Sequence, residues 1–345
     1  MTAPAKIRFR DAHVEMAHGA GGKASRRLID GLFAPLLFPA STAPLGDAAH
    51  VSIDGARIAI TTDSFVVRPL CFPGGSIGEL AVTGTVNDLA VSGARAEALV
   101  VSYVLEAGLA TDILESEIRA MAAAAERAGV AIAGGDTKVV EHGKADGMYI
   151  TTSGIGRPIA GLDISPQRVA AGDQVILSGP IGDHGITILL ARGELEIEAD
   201  LRSDTRSVLA MVEALAQAAG DGVHWMRDPT RGGVATSLNE LALDCGLGVV
   251  MAEEKITMRD SVRGACELLG LDPLHIANEG QFLAVVAVDR TAAALEALHA
   301  TPGGECATIV GEIAARPPGT VIVTTTYGGS RVIDMLVGDP LPRIC

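Results

Sequence analysis

Apolar residues along this chain recur with two periods. ARIAITTDSFVV (56–67), ALVVSYVLEAG (98–108) and GMYITTSGIG (147–156) are short apolar runs rich in β-branched residues, the signature of strands, and VAIAGGDTKVV (130–140) reads as a buried strand broken by a glycine turn. Thr111 and Asp112 open a segment where Ile113, Leu114, Ile118 and Met121 repeat at helical spacing, ending near Gly129. ELAVTGTVNDLAVSGA (79–94) fits a helix of small residues, and PLCFPGGSIGEL (69–80) a turn leading into it. In the second half, DQVILSGP (173–180) predicts a strand and 204–220 a helix. MRDPTRGGVATSLNELALDCG (226–246) reads as a loop feeding a helix, and IANEGQFLAVVAV (276–288) as a loop feeding a strand. A helix near 290–299 and strands in ATIVGEIA and TVIVTT follow.

Strands alternating with helices predict an α/β (α+β) protein in two halves. The divisions fall at 1–160, 161–335 and a tail, 336–345, that two prolines and a glycine keep out of regular structure.

Composition narrows the chemistry. With 48% hydrophobic residues the chain can bury a large core, which excludes general disorder. A formal charge of −15 opposes broad binding to nucleic-acid phosphates, but leaves room for a nucleotide held through a metal ion. Aromatic residues, at 3%, are too few for base stacking or a membrane belt. No leader pattern and no run of 18 apolar residues is present, so the expectation is a soluble cytoplasmic protein with neither membrane nor nucleic acid as partner. Cysteines 71, 245, 266, 306 and 345 form no CxxC spacing, and their odd number suits reduced thiols.

Several loops carry residue types suited to phosphate chemistry. HGAGGKAS (18–25) sets Gly21 and Gly22 beside Lys23; it lacks Walker A spacing and reads either as a phosphate cradle or as a glycine turn. Asp63, Asp88 and Asp136 lie in TTDSF, TVNDLA and GGDTK, placed either to hold magnesium on a nucleotide or to cap turns. RDPTRGG (227–233) offers Asp228 and Arg231 before a helix start, a charge-rich loop able to contact metal or phosphate, or to form surface ion pairs. Glu279, before a very apolar run, is either a desolvated general base or a backbone acceptor. His18 and His184 are further donors or bases. Cys345 stands at a chain end, where its thiolate is a mobile nucleophile or a bystander.

Taken together, FPGGSIGELAVTGTVNDLAVSGA (72–94), GGDTKVV, GDHG (182–185), RDPTRGG, ANEG (277–280) and the terminal PRIC resemble the hydrogenase-maturation carbamoyl dehydratases, within the superfamily of aminoimidazole ribonucleotide synthetase and selenophosphate synthetase. The resemblance covers about residues 10–345 and implies that superfamily's two-domain ATP-binding fold. It implies ATP-dependent dehydration of an S-carboxamide on Cys345 to a thiocyanate, supplying cyanide for the nickel–iron centre. It further implies a homodimer, a carbamoyltransferase that loads Cys345, and an iron-carrying scaffold complex that receives the cyano group. By the family pattern Asp63, Asp88, Asp228 and Asp136 are metal positions. Lys23, Gly21, Gly22, Asn87 and Arg231 serve ATP; Lys138, Glu279 and His184 serve the carboxamide.

The chain departs from the expected pattern at Ala20 and Cys71, where a serine and an aromatic residue are more usual. Two rivals make different predictions. Selenophosphate synthetase needs a reactive cysteine in residues 15–25, which contain none. A non-catalytic metal-binding scaffold would turn over little ATP.

Overall fold

The computed structural model describes residues 8–37, 45–193, 199–338, 341 and 343–345. Two short helices, α1 (Gly22–Leu28) and α2 (Ala34–Leu37), precede a first sheet. Its strands are β1 (Ala49–Ile53), β2 (Ala56–Phe65), β5 (Ala94–Glu106), β6 (Ala131–Val140) and β7 (Met148–Pro158), in the order β1-β2-β7-β5-β6. Between β2 and β5 lie the small hairpin β3 (Cys71–Phe72) and β4 (Gly75–Ser76), then α3 (Ile77–Val91). Helix α4 (Thr111–Ala128) makes the crossover that leaves β5 and β6 parallel; the remaining pairs are antiparallel.

A second sheet has the order β14-β13-β10-β12-β8-β11-β9. Its strands are β8 (Gln174–Leu177), β9 (Val223–Arg227), β10 (Gly248–Ala252), β11 (Leu283–Val286), β12 (Thr308–Ala314), β13 (Val321–Thr324) and β14 (Ser330–Ile333). Helices α5 (Asp183–Ala191), α6 (Leu209–Ala219), α7 (Gly233–Cys245), α8 (Asp260–Leu269) and α9 (Thr291–His299) accompany it. Helices and sheets mix as the α/β (α+β) expectation required. Among the described residues no helix is long and apolar enough to cross a membrane.

Helix α3 positions the site. It is buried on nearly every side because it packs against the first sheet, α4 and α6. Small residues allow this: a Cβ on Gly78 would stand 2.1 Å from the Glu117 carbonyl oxygen, and one on Gly84 would stand 2.9 Å from the Phe65 ring. Helix α4 ends as its sequence predicts, at Gly129 in the left-handed conformation.

Among the described residues, nothing covers the far face of the first sheet. Ile60, Val100, Ile132 and Ile155 are exposed there, and β6 is open to solvent almost along its length. That strand also runs unbroken, because Gly134 and Gly135 pair with Val100 and Val101, so the expected buried strand with a glycine turn is instead a continuous exposed edge.

Candidate active site

A cleft of about 1120 Å³ opens where α1, β2, α3 and the loop before α7 converge. Asp47, Asp88 and Asp228 each present a carboxylate oxygen there, all within 4.8 Å of one another. Asp63, on β2, lines the same cleft. Thr61 Oγ1 lies 2.9 Å from Asp88 Oδ2 and 2.7 Å from the Asp47 carbonyl, its one proton serving either acceptor.

Asp88 holds its proton well above the usual carboxylate range, because burial removes water and Asp228, Asp47 and Asp63 repel its charge. Asp228 is raised likewise by burial and by Asp47 and Asp63, against the pull of Arg227 and Arg231. Crowded oxygen donors that resist ionisation together match a hard divalent cation, which would relieve their repulsion. The residues therefore fit magnesium.

Two arginines border the cluster. Arg227 Nε pairs with Asp47 at 2.9 Å and its Nη2 with Glu240 at 3.2 Å, fixing Asp47 in place. Arg231 remains more exposed. Burial works against its charge, but Cys345, Asp63, Asp88 and Asp228 outweigh this and raise its pKa.

Glu279 is 2% exposed, and its Oε1 has no hydrogen-bond partner among the described residues. Burial and then Asp228, Asp63 and Asp204 keep its carboxyl protonated well above the usual range, with Arg231 opposing. Its loop is pinned from below. Asn278 Nδ2 donates to the Pro229 carbonyl at 3.1 Å and its Oδ1 accepts from Gly182 N at 2.7 Å, tying ANEG to RDPTRGG and GDHG. Asp204 accepts from the Glu279 and Gly280 amides at 3.1 Å each. Asn87 is occupied differently from a nucleotide contact: Nδ2 donates to the carbonyls of Arg206 (2.9 Å) and Glu279 (3.1 Å), and Oδ1 accepts from Val208 N (2.8 Å). Its side chain ties α3 to the loops of the second sheet.

The glycine loop packs tightly on the same rim. Gly21 and Gly22 both have positive φ, and a Cβ on Gly22 would stand 2.4 Å from the Leu336 carbonyl oxygen. Lys23 N donates to that carbonyl at 2.9 Å, while its ammonium pairs with Asp334. His18 accepts from Glu15 N and contacts Asp11, so it braces this loop.

Asp136 and Lys138 stand apart. They form an exposed ion pair at 3.0 Å on the edge strand β6, with no place in the lining of the cleft. Their register partners on β5 are Ser102 and Val104.

His184 is fully buried, with Nδ1 2.8 Å from Ser203 Oγ and Nε2 2.6 Å from the Ile344 carbonyl. Residues 343–345 form no regular element, as expected, yet they are docked: Leu341 and Ile344 are buried and Cys345 packs against the main core. Pro340 and Pro342 lie outside the described residues. No disulfide forms among the cysteines, and Cys71 is exposed.

Family models for the N-terminal and C-terminal domains of AIR synthase related proteins match residues 45–157 and 170–324. The carbamoyl dehydratase HypE of Azotobacter vinelandii is 46% identical over 340 residues, covering 99% of both chains. The chain belongs to the carbamoyl dehydratase family. A solved complex of HypE with HypF superposes with a TM-score of 0.84 at 41% identity, covering 90% of this chain and 99% of the other. HypE solved in complex with ATP gives a TM-score of 0.80 at 42% identity, covering 96% and 99%. Membership in this family disfavours the selenophosphate synthetase and scaffold alternatives.

Proposed function

We propose that the chain dehydrates a carboxamide carried on its own Cys345, using ATP, and so supplies cyanide for hydrogenase maturation. One observation carries the reading for this chain: the end of the chain is docked, with Cys345 O accepting from Val66 N at 3.0 Å just past Asp63 on β2, while Asp47, Asp88 and Asp228 gather their carboxylates in the cleft that Asp63 also lines. The family's name supports the reaction, and the ATP complex of a relative supports the nucleotide.

The chemistry follows from the carboxamide. Its oxygen is a poor leaving group until it accepts the terminal phosphoryl group of ATP. Transfer releases ADP; one N–H proton then goes to the base, the other leaves with the departing phosphate as the C–O bond breaks, and the thiocyanate remains. Magnesium would be held by Asp88 and Asp228 with Asp47 and Asp63, and would supply charge stabilisation at the transferred phosphoryl group. Gly21, Gly22 and Arg231 form the phosphate-facing rim, and Lys23, whose ammonium pairs with Asp334 outside the cleft lining, would reach phosphate only by leaving that partner. Glu279 takes an N–H proton: its desolvated carboxylate, once ionised, is a stronger base than an exposed one.

Asp136 and Lys138 join this scheme through a second copy of the chain. Their strand-pair partners Ser102 and Val104 alternate along β5 with Val100 on the same face, so a homodimer closing that face brings both residues toward its interface. Residues 1–160 and 161–335 are the two working domains, and 336–345 is the carrier tail. A carbamoyltransferase loads Cys345 and an iron-carrying scaffold accepts the cyano group; the HypE–HypF complex of a relative supports a protein partner. The cytoplasm suits a reduced thiol in this role.

Intact-mass measurement with the loading enzyme, carbamoyl phosphate, ATP and magnesium tests the reading. A gain of about 43 Da followed by a net gain of about 25 Da is expected from the covalent groups, both lost in C345A. ATP consumption without either adduct would overturn it.

A further inference from the structure

The last residues are gripped carbonyl by carbonyl. The Arg343 oxygen accepts from Arg68 N at 3.3 Å and from Arg192 Nη2 at 2.8 Å. Ile344 O faces His184 Nε2 at 2.6 Å, and Cys345 O accepts from Val66 N at 3.0 Å. The tail thus continues the edge of the segment after β2, with contacts that read main chain rather than side chains.

A carbonyl only accepts, so His184 carries its proton on Nε2. Nδ1 then accepts the Ser203 hydroxyl proton, and Ser203 Oγ receives Thr205 N at 3.0 Å, which fixes the ring's tautomer and orientation. Both ring nitrogens are committed, leaving none for a substrate proton. Burial lowers the pKa to about 4, against the Ile344 carbonyl, so the ring is neutral near pH 7.

On the other side of the tail, Arg343 has a φ of 59°, a left-handed conformation unusual for a residue with a side chain. Its guanidinium pairs with Asp146 and donates to the Val66 carbonyl at 3.4 Å. Such a backbone persists where contacts over-determine it. Here it turns Ile344 inward, to 5% exposure, and leaves Cys345 at the core's margin.

We infer that His184 and Asp146 are positioning residues for Cys345: His184 holds the Ile344 carbonyl, Asp146 holds Arg343 in its turn, and together they keep the chain end docked against Val66, just past Asp63 on β2, during dehydration. The inference rests on Cys345 as the carrier, but the docking has a readout independent of catalysis.

The test measures iodoacetamide alkylation of Cys345, resolved by peptide mass spectrometry, in the full-length chain and its H184F, H184Q and D146N variants. Alkylation should rise about 10-fold in H184F and D146N, and return toward wild type in H184Q, whose amide can still donate. Single-turnover dehydration of preloaded chain should fall in H184F and D146N, while loading by the carbamoyltransferase is not slowed. D146N alters a half-buried surface pair and guards against misfolding of the buried variant. Unchanged alkylation in D146N, or H184Q as fast as H184F, would overturn the assignment. Faster alkylation with no adduct ever forming on Cys345 would instead overturn the carrier reading and leave the docking assignment standing.

Discussion

Asp88 and Asp228 present carboxylate oxygens within 4.8 Å of each other, although one comes from α3 and the other from the loop before α7. Helix α3 and the loop before α7 therefore meet at two carboxyl groups that repel each other once both ionise. Replacing one of them separates structural from catalytic roles. D88N should stabilise the metal-free chain by removing repulsion, and should lower magnesium-dependent ATP turnover about 100-fold or more, as loss of a group that organises transition-state charge does. Thermal melts without metal, paired with turnover assays, check both halves; a destabilised and fully active variant contradicts the assignment.

Metal binding should release protons. Asp47, Asp63, Asp88 and Asp228 all have folded pKa values above their ordinary ones, chiefly from burial. Their contribution to stability is present below about pH 4, the ordinary carboxylate value, and is lost as pH rises through the raised folded values. Magnesium replaces the missing protons, so the melting-point increase it gives should be larger at pH 8 than at pH 6. Calorimetry in buffers of different ionisation enthalpy would count the protons.

His184 has the opposite sign. Its folded pKa of about 4 lies below the ordinary 6.5, so the unfolded chain takes up a proton first as the solution is acidified. Stability is lost between pH 6.5 and about 4, by roughly 3 kcal/mol at the lower end. The H184Q chain should lack this slope while the carboxylates, shared by both chains, cancel in the comparison. Equal slopes in denaturant titrations across that window would remove His184 from the account.

Asn87 distinguishes a fold-holding residue from a nucleotide contact. N87A leaves Val208 N and the carbonyls of Arg206 and Glu279 without their side-chain partner. A loss of about 2–4 kcal/mol is expected from abandoned buried groups, with the KM for ATP changed little in the fraction that folds. A large KM effect at normal stability would instead support direct contact with the nucleotide.

Much of the site was legible because its loops combine glycine with acidic or basic residues beside recognisable strands. TTDSF, TVNDLA and RDPTRGG converge as their chemistry suggested, through β2, α3 and the entry to α7. Asp47 was missed because STAPLGDAA has no apolar run to mark its strand neighbour, and its place shows only in the fold, beside Arg227, Asp88 and Asp228. The small-residue run of α3 gave the helix, but no local pattern shows that Asn87 faces the second half instead of a ligand. Asp136 and Lys138 share a short motif with the same polar character, yet β6 carries them to an open edge.

The fold was legible in the long strands and in helices α3, α4 and α7, whereas α8 (Asp260–Leu269) was not read although its apolar residues share one face. Helix α5, DHGITILLA, was not resolved as a helix because it is short and apolar around much of its surface, so no 3.6-residue period stands out. The short strands β1, β10 and β14 escaped for a related reason: each owes its form to a neighbour, β1 to β2, β10 to β12 and β13, β14 to β13.

Leu341 and Ile344, 3% and 5% exposed, make the end of the chain a component of the main core. Any journey of Cys345 to a partner withdraws these side chains into water and brings them back. The catalytic cycle then contains a small unfolding reaction. Tail departure should carry a positive heat-capacity change, and the balance between docked and presented thiol should curve with temperature as folding equilibria do.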